Sequence, residues 1–406
     1  MVTTTNTLSL FILISLSIND IVSFTHPLVL QKRICTSKLS STTTPKEQPQ
    51  AQPRTGFLQG LLDIALNSQI WKLVLVPLAR QKIVDTGEAN GIPWTNAYNW
   101  IQSQNGPWRD DIQYDTSHIP PYYKKAFHAY DEGNLCWDAA LEQEIAGRAV
   151  GARNFPSFGE DGEDAFRNSF VTALDSIGAS VPKDAVILDL GCGTGTSTRN
   201  LATLYPQAKS IIGIDVSPYF INVGRRLLEL APKSYKEGGD WVTTITPDNR
   251  ITLEIGDATN VNMPDNSIDI ISLNLVIHEL PPEITISILN EAYRILKPKT
   301  GQIWINEMDY DSPAFSNQRS NALLFSLIRS TEPYLDVYAD NFKGILDFMR
   351  GRYEHVRITA ATGRHFSMIG LKQPGGKCFE DVRFLEDGRY RVDDTHLTTW
   401  ENERKS

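Results

Sequence analysis

An acidic residue followed by three alternating glycines marks the part of the chain best suited to ligand chemistry. Residues 189–195 read DLGCGTG, directly after a short apolar run typical of a buried strand. Glycines in a turn between a strand and a helix let backbone amides approach a ligand closely. The dinucleotide-binding pattern places its third glycine at the position that holds Thr196 here. Asp189 would repel a pyrophosphate and suits a cationic amine, so the turn predicts a ligand with an amine.

A second carboxylate, Asp215, ends the next apolar run along the chain. A carboxylate at the end of a second strand can accept both hydrogen bonds of a ribose 2′,3′-diol. Asp189 and Asp215 together predict a ligand that carries a ribose and an amine but no pyrophosphate. The glycine spacing therefore disfavours a nicotinamide dehydrogenase, which binding of NAD would reveal.

Further polar residues follow the later apolar runs. Asp257 comes after the third run, Asn274 after the fourth and Glu307 after the fifth, and His278 and Glu279 lie just beyond the fourth. Histidine can take a proton near neutral pH, so His278 and the two glutamates are candidates for proton handling. In the alternative interpretation, His278 caps or packs the next helix while Glu279 faces solvent or pairs with a neighbouring Arg or Lys.

The segments between these residues alternate strand and helix patterns. Apolar runs predict five strands, at 186–190, 211–215, 251–255, 268–273 and 302–306. Ser217-Pro218 predicts a helix start, and residues 284–296 carry the apolar face of a long helix. Repeated β-α units of this kind predict an α/β fold with a parallel sheet and helices on both faces.

In order and spacing, these motifs resemble those of the class I S-adenosylmethionine-dependent methyltransferases. The likeness is to the small-molecule branch (methyltransferase types 11 and 25), which includes the ubiquinone and menaquinone C-methyltransferases. It covers about residues 184–309 and reaches residue 371 more loosely. The resemblance implies a Rossmann-like doubly wound sheet of seven strands, the last one antiparallel. The acidic segment 331–336 and the aromatic-rich region ahead of the sheet are not typical of the quinone enzymes.

The resemblance also implies S-adenosylmethionine as the cofactor, with a role for each matched residue. The glycines shape the turn against the methionine part, Asp189 lies near its amine, and Asp215 holds the ribose. Asp257 accepts a hydrogen bond from the adenine amino group, with a plain turn residue as the alternative, and Asn274 lies beside the sulfonium. The predicted cofactor-binding residues are Asp189, Gly191, Cys192, Gly193, Gly195, Asp215, Val216, Asp257, Ala258 and Asn274, with Cys192 as a small loop residue and not a nucleophile.

Methyl transfer is an in-line displacement on an activated methyl group, so positioning contributes much of the rate, and only a weakly acidic acceptor needs a base. Tyr130 and Asp131 stand in an aromatic and acidic segment, residues 128–137, that could form a lid over the pocket. The alternative for this segment is a helix end at Gly133 with its aromatic rings in the core. The catalytic candidates are His278, Glu279, Glu307, Tyr130 and Asp131. The other histidines lack metal-ligand spacing and are expected to be structural, so no metal site is predicted; they are His118, His128, His355, His365 and His396.

Composition narrows the class of protein further. The chain has 406 residues, 21% of them charged, with eight Trp and a net charge of −9, which excludes a mostly disordered chain and argues against a nucleic-acid partner. Four cysteines without a C-x-x-C pair exclude a disulfide framework. No run reaches the roughly 20 apolar residues of a membrane span, although residues 57–76 would allow peripheral membrane contact. We expect a small-molecule acceptor as partner, and the sequence predicts no oligomeric state.

The first 46 residues are predicted to be a targeting presequence. An apolar stretch at 8–18 has the length of a signal core, and a stretch from Ile21 to Lys46 is free of acidic residues and rich in Ser and Thr. This combination resembles the bipartite presequence of algae with secondary plastids, and an ordinary secretory signal is the alternative. The rest of the chain is divided into a linker, a helical N-terminal region, the methyltransferase domain and a C-terminal extension that packs locally, at 47–53, 54–158, 159–371 and 372–406.

Apolar spacing predicts further elements on both sides of the central strands. In the N-terminal region we expect helices over 57–76, from Leu78 to Gly91, and as a broken pair over 122–151. After the fifth strand we expect helices and then two closing strands, at 321–329, 342–349, 355–360 and 365–371.

The sequence therefore predicts methyl transfer from S-adenosylmethionine to a small, partly apolar acceptor, with the N-terminal region forming part of the acceptor pocket. A non-catalytic cofactor-binding assembly factor would carry the same motifs, and only turnover separates the two. Aminopropyl transfer on the same fold would need an acidic pair that residues 274–280 do not supply.

Overall fold

A computed structural model describes residues 76–108, 113–229, 248–320, 331–373 and 377–391, together with residues 325 and 328. The predicted presequence and the linker lie outside the described residues. So do residues 57–75 of the helix expected over 57–76, and most of the helix expected over 321–329.

An eight-stranded sheet forms the centre of the fold. Its strands are β1 (Val186–Leu190), β2 (Ser210–Asp215), β3 (Ile251–Ile255), β4 (Ile270–Asn274), β5 (Gln302–Met308), β6 (Val356–Ala360), β7 (His365–Leu371) and β8 (Phe379–Asp381). Their spatial order is β3-β2-β1-β4-β5-β7-β6-β8. The first five strands are mutually parallel, and β7 is antiparallel to both of its neighbours. The five predicted strands and the two closing strands are confirmed to within two residues at each end.

The eighth strand corrects the expected count of seven. β8 runs parallel to β6 and covers the edge that β6 would otherwise expose. An edge strand leaves a row of unpaired backbone groups, and here the chain beyond residue 371 returns to pair with them. The described part of the C-terminal extension, up to residue 391, therefore packs locally and adds a strand as well.

Helices cover both faces of the sheet. They are α1 (Val76–Ala89), α2 (Trp94–Ser103), α3 (Trp137–Asn154), α4 (Gly162–Ser176), α5 (Thr196–Leu204), α6 (Pro218–Glu229), α7 (Pro282–Ile295), α8 (Pro313–Ser320) and α9 (Leu335–Arg352). Helices α7 and α9 pack with Ile271 and Ile305 in the largest apolar cluster. Residues at the end of α4 and on α5 bury Ile187 and Trp304 on the other face. Burial on both faces explains why the strands read as continuous apolar runs.

The N-terminal helices form a second core against α6. Ile101 of α2 and Ile145 of α3 are buried together with Phe220 and Val223 of α6. The helix expected from Leu78 corresponds to α1 and is confirmed. Among the described residues, no helix combines the length and apolar character needed to cross a bilayer.

Residues 122–134 do not form the helix expected from their apolar spacing. They form turns, including a two-residue hairpin turn whose central residues, His128 and Ala129, have positive φ angles of 50° and 70°. Gly133 also has a positive φ, and a Cβ there would collide with a backbone carbonyl. These left-handed positions interrupt any helix, so the prediction was wrong here. The helix predicted after them is confirmed as α3.

Candidate active site

Four of the predicted site residues lie at the carboxyl edge of the parallel strands. Asp189 lies near the end of β1, Asp215 ends β2, Asn274 ends β4, and Glu307 is the penultimate residue of β5. Strands β2, β1, β4 and β5 are consecutive neighbours in the sheet, so these four side chains share one edge. In open parallel sheets, ligands bind in the crevice outside this edge.

The glycine turn has a backbone that side chains would disrupt. Gly191, Gly193 and Gly195 have φ angles of 73°, 56° and 89°. A Cβ at Gly191 would lie 2.8 Å from a methyl carbon of Val276, and one at Gly193 would lie 2.5 Å from the side-chain amide of Gln143. The turn therefore needs glycine both for conformation and for space.

Asp189 anchors the turn to the helix that follows. Its Oδ2 accepts hydrogen bonds from Ser197 Oγ at 2.6 Å and Thr198 Oγ1 at 2.7 Å, and Oδ1 lies 3.4 Å from Asn274 Nδ2. Burial raises the pKa of the Asp189 carboxyl, since only 1% of the residue is exposed. These contacts join β1 to the start of α5. A contact of Asp189 with a ligand amine remains a prediction.

Asp215 joins the turn to the N-terminal region. Its Oδ2 accepts a hydrogen bond from the Gly193 amide at 3.0 Å, and its Oδ1 accepts one from the Ser217 amide at 2.8 Å. The hydroxyl of Tyr123 donates to the same Oδ1 at 3.2 Å. Burial raises the pKa of the Asp215 carboxyl. Tyr123 was missed in the sequence because it lies far from Asp215 along the chain and carries no motif.

Helix α3 also contacts the glycine turn. Gln143 accepts hydrogen bonds from the amide and hydroxyl of Thr194, and Glu144 accepts one from Thr196 Oγ1 at 2.6 Å. Arg199 pairs with the buried Glu144. The N-terminal region is therefore attached to the predicted cofactor loop by charged and neutral hydrogen bonds, which supports its expected place beside the pocket.

The remaining predicted cofactor residues lie along the same edge. Asp257 is half-buried, and its Oδ1 accepts hydrogen bonds from the amide and hydroxyl of Thr259 at 2.8 and 2.7 Å, which is the turn geometry of the alternative interpretation. Ala258, the next residue along the chain, is half-buried. Val216, which directly follows β2, is half-buried as well. Cys192 is buried, and burial raises the pKa of its thiol well above the usual range, which suits a small loop residue. Adenine contacts of Asp257 and Ala258 remain predictions.

A chain of amide hydrogen bonds fixes Asn274. Asn306 Nδ2 donates to Asn274 Oδ1 at 2.7 Å, and Ser367 Oγ donates to Asn306 Oδ1 at the same distance. The two asparagines line a cleft between α4 and α5 together with Arg167. This series of hydrogen bonds links β4, β5 and β7, so three strands determine the orientation of Asn274, a predicted cofactor-binding residue. Asn306 belongs to no motif in the sequence, so its role here could not be predicted.

His278 and Glu307 form a buried ion pair. His278 Nδ1 lies 2.8 Å from Glu307 Oε1, and the His278 backbone amide donates to Glu307 Oε2 at 3.2 Å. Glu307 has no exposed surface. Burial alone would lower the pKa of His278, but the charge and hydrogen bond of Glu307 outweigh it and raise this pKa to about 10. His278 is therefore an imidazolium at neutral pH and not the free base suggested by its type.

Three more residues surround this pair, and we call the five together the acid–histidine cluster: His128, His278, Glu279, Glu307 and Glu332. His278 Nε2 lies 3.6 Å from Glu332 and 3.9 Å from Glu279. His128 Nε2 lies 3.8 Å from Glu279 and 3.9 Å from Glu332. Burial raises the pKa of Glu279 to about 8, against the opposing charge of His278. Glu279 is half-buried and lies beside two histidines, so the alternative in which it faces solvent or pairs with an Arg or Lys is wrong.

His128 reaches the cluster because of the hairpin turn that contains it. Its backbone amide donates to the carbonyl of Thr331 at 2.9 Å, which holds the turn beside Glu332. The sequence analysis classed His128 as structural and noted residues 331–336 only as acidic. Their proximity depends on a contact between two segments that the first five strands separate along the chain, and no local sequence pattern contains such a contact.

Tyr130 and Asp131 lie apart from the acid–histidine cluster. The hydroxyl of Tyr130 bonds to Glu142, and its ring lies 4.9 Å from the guanidinium of Arg80, within the N-terminal aromatic core. Asp131 is exposed. The structure brings neither side chain to His278, so their catalytic role remains a prediction without a supporting contact. In the part of the chain that the structure describes, no group of His, Cys, Asp and Glu is arranged to hold a metal ion.

Comparison with known proteins finds a family model that matches the central part of the chain. Residues 187–299 match a family model described as a methyltransferase domain. A 115-residue stretch is 34% identical to demethylmenaquinone methyltransferase of Symbiobacterium thermophilum and covers 28% of this chain and 38% of that protein. A 69-residue stretch is 38% identical to trans-aconitate 2-methyltransferase of an Acidovorax species and covers 17% of this chain and 26% of that protein. The chain thus spans well under half the length of these curated relatives.

A solved structure resembles a larger share of the chain. A putative S-adenosyl-L-methionine-dependent methyltransferase from Methanococcus maripaludis is 17% identical, with a TM-score of 0.38 over 59% of this chain and 94% of that one. The order of motifs expected from the sequence and the family match coincide over β1 to β4, the strands that carry the glycine turn, Asp215 and Asn274. Over residues 187–299 the chain is therefore similar to a methyltransferase domain.

Proposed function

We propose that this protein binds S-adenosylmethionine at the carboxyl edge of its sheet and transfers the methyl group to a small, partly apolar acceptor. The placement of Asp215 is the observation that carries the proposal. Its buried carboxylate ends β2 and accepts a hydrogen bond from the Gly193 amide, in the turn where backbone can approach a ligand closely. Both residues lie within the methyltransferase domain.

The turn and its neighbours fit this cofactor. A Cβ at Gly191 or Gly193 would collide with neighbouring side chains, so the inner face of the cradle is backbone only. Asp215 offers carboxylate oxygens for a ribose, and Asp257 and Ala258 stand half-buried after the next strand, where an adenine would follow. S-adenosylmethionine supplies there a methyl group made electrophilic by its sulfonium.

We assign proton handling to Glu279. Its pKa of about 8 is close to the pH of most cellular compartments, which suits a group that takes a proton from the acceptor and returns it to water. His278 has a pKa of about 10, so it stays charged and balances the carboxylates around it. In its ionised form Glu279 would accept the proton of an acceptor hydroxyl or amine as the bond to the methyl group forms.

Aromatic side chains beside the acid–histidine cluster support an acceptor that is partly apolar. The ring of Tyr338 lies edge-on to that of His278, with centroids 6.4 Å apart, and edge-on to that of Tyr310 at 6.0 Å. Tyr310 in turn stacks on Phe315 at 4.7 Å. An acceptor that reaches the cluster would meet these rings as well as the carboxylates.

Calorimetric titration of the full chain with S-adenosylmethionine, S-adenosylhomocysteine and NAD tests the cofactor assignment. Asp215→Ala removes the proposed ribose acceptor, and Asp387→Ala, in an exposed turn far along the chain, is the matched loss of a carboxylate. We expect both adenosyl ligands to bind, NAD not to bind, and only Asp215→Ala to lose at least about tenfold in affinity, as one charged hydrogen bond is worth about 1.5–3 kcal/mol.

The results of these experiments distinguish three functions for the domain: methyl transfer, cofactor binding without catalysis, and aminopropyl transfer. Binding without any turnover of labelled cofactor in extracts that contain candidate acceptors would favour a non-catalytic assembly factor. Absence of binding to the folded wild-type chain would refute the proposal. Transfer of an aminopropyl group from the decarboxylated cofactor would identify the other activity expected of this fold.

We also propose that residues 1–46 direct the protein to a plastid. The basis is composition alone: an apolar core followed by an acid-free, hydroxyl-rich stretch, with Phe24 at the junction. Residues 1–56 fused to a fluorescent protein should accumulate in the plastid of an alga with secondary plastids, and Phe24→Ala should reduce this import. Export of the fusion to the medium would instead support the secretory alternative.

A further inference from the structure

The segment 377–391 packs against the loop that follows β5, through a buried arginine. Arg383 is only 3% exposed. Its Nη1 lies 2.9 Å from Asp309 Oδ1 and 3.3 Å from Asp311 Oδ2, and its Nη2 lies 2.7 Å from Asp381 Oδ2. A guanidinium with this fork of donors fixes several carboxylates in one geometry. The arginine therefore ties β8 to the loop at the end of β5.

Asp309 is the residue on which these contacts converge. It is 1% exposed, and besides Arg383 it accepts a hydrogen bond from the hydroxyl of Tyr390 to Oδ2 at 2.8 Å. Its backbone amide donates to the carbonyl of Arg364 at 2.8 Å. A buried carboxylate needs such partners, and Arg383 and Tyr390 supply two of them beside the Asp311 amide, which donates to Oδ1 at 3.1 Å.

Asp309 stands two residues beyond Glu307, and the peptide between them is fixed from both sides. The Met308 amide donates to Glu307 Oε1 at 2.6 Å, and the Met308 carbonyl accepts a hydrogen bond from the Tyr338 hydroxyl at 2.8 Å. The same Glu307 oxygen faces His278 Nδ1. A displacement of Asp309 therefore moves the peptide that orients Glu307 toward His278.

A second set of contacts runs through aromatic rings. The guanidinium of Arg383 lies 5.6 Å from the centroid of the Phe342 ring. Phe342 packs edge-on to Tyr338 at 5.8 Å, and Tyr338 packs edge-on to His278. Arg383 is thus connected to both members of the buried ion pair, once through Asp309 and once through these rings.

We infer that Arg383 and Tyr390 are positioning residues for the acid–histidine cluster, and that by holding Asp309 they place Glu307 against His278. This inference rests on the proposed function only for its effect on turnover. The segment beyond the methyltransferase domain therefore contributes to the site without touching a ligand.

The test compares full-length variants by nuclear magnetic resonance of the histidine rings, with His278→Gln to assign the signal. Tyr390→Phe removes one donor to Asp309, and Arg383→Met removes the charge. Arg389→Met is the matched control, because Arg389 pairs with an aspartate in the same segment but is exposed. We expect the titration midpoint of His278 to fall by about one pH unit in Arg383→Met and by about half of that in Tyr390→Phe, as the pairing with Glu307 loosens.

Turnover and cofactor affinity complete the test. Once an acceptor is known, kcat should be about tenfold lower in Arg383→Met than in wild type and should recover in part in Arg383→Lys. The Kd for S-adenosylmethionine should stay within twofold of wild type in both variants. The double variant Asp309→Asn with Arg383→Met leaves no unpaired buried charge, so it provides a folded sample if Arg383→Met does not fold, and its His278 midpoint should fall too.

An unchanged His278 midpoint in folded Tyr390→Phe and in the double variant would overturn the inference, as would an equal change in Arg389→Met. Failure of the wild-type chain to bind S-adenosylmethionine would count against the proposed function alone, because the histidine titration needs no cofactor.

Discussion

Replacement of Glu307 by glutamine should remove most of the stabilisation that the buried ion pair supplies. In the folded chain the pKa of His278 is about 10, against its ordinary value of 6.5. At about 1.4 kcal/mol for each pH unit, this difference corresponds to on the order of 5 kcal/mol. Loss of one partner of a buried pair typically costs about 3–5 kcal/mol, so both routes give the same range.

The sign of the pH dependence follows from the direction of the pKa change. A pKa raised by folding gives stability that is fully present below pH 6.5 and is lost as the pH rises toward 10. The pKa of Glu279, raised to about 8, acts in the same direction. Wild-type stability should therefore fall between pH 6.5 and 10. Without Glu307, burial lowers the pKa of His278, and the variant should lose much of this slope.

Urea unfolding at pH 6.5 and at pH 10 measures both effects. We expect Glu307→Gln to be less stable than wild type by about 3–5 kcal/mol at pH 6.5 and by clearly less at pH 10. Glu254→Gln, an exposed glutamate on β3 of the same sheet, is the matched control and should change stability by less than about 0.5 kcal/mol. A loss below about 1 kcal/mol at pH 6.5, or an equal loss at both pH values, would refute this account of the pair.

Three further changes probe the turn and its contacts. Gly193→Ala should cost about 1–2 kcal/mol, because its φ of 56° is unfavourable for alanine, while Gly147→Ala on the open surface of α3 should be neutral or stabilising; thermal unfolding of both decides. Tyr123→Phe should raise the affinity for S-adenosylmethionine about threefold to tenfold, because it frees an oxygen of Asp215 for the ribose; weaker binding by calorimetry would contradict this. Glu144→Gln should cost about 3 kcal/mol at pH 7. Burial alone would raise the pKa of the Glu144 carboxyl, but two arginines lower this pKa to about 2. The stability that ionised Glu144 contributes to the fold is therefore present above pH 4.5 and is lost as the pH falls toward 2. Acid unfolding of the Glu144→Gln variant should lack this loss of stability.

The sheet and the glycine turn could be predicted because their causes are local. Buried parallel strands must be apolar on both faces, so runs such as 186–190 and 302–306 stand out in the sequence. The turn needs positive φ angles and close approach, and only glycine supplies both at Gly191 and Gly193. Asp215 could be placed because it directly ends a strand.

The catalytic side of the site was only partly predictable. His278, Glu279 and Glu307 could be identified from their positions after strands, but the protonation of His278 follows from a pairing across strands that no spacing reveals. His128 and Glu332 come together through a hairpin turn built on left-handed residues, against the helical spacing of that segment. Tertiary contacts outweigh local pattern at such points.

The edge of the sheet on the β6 side has a consequence for the solubility of the protein. β8 is only three residues long, its last two residues are acidic, and Glu380 pairs with Arg357 of β6 across the edge. Short, charged edge strands hinder the addition of a further strand from another molecule. A chain cut before residue 377 would expose the backbone of β6 and should self-associate by edge pairing, so its loss of activity would mix aggregation with any effect on the site.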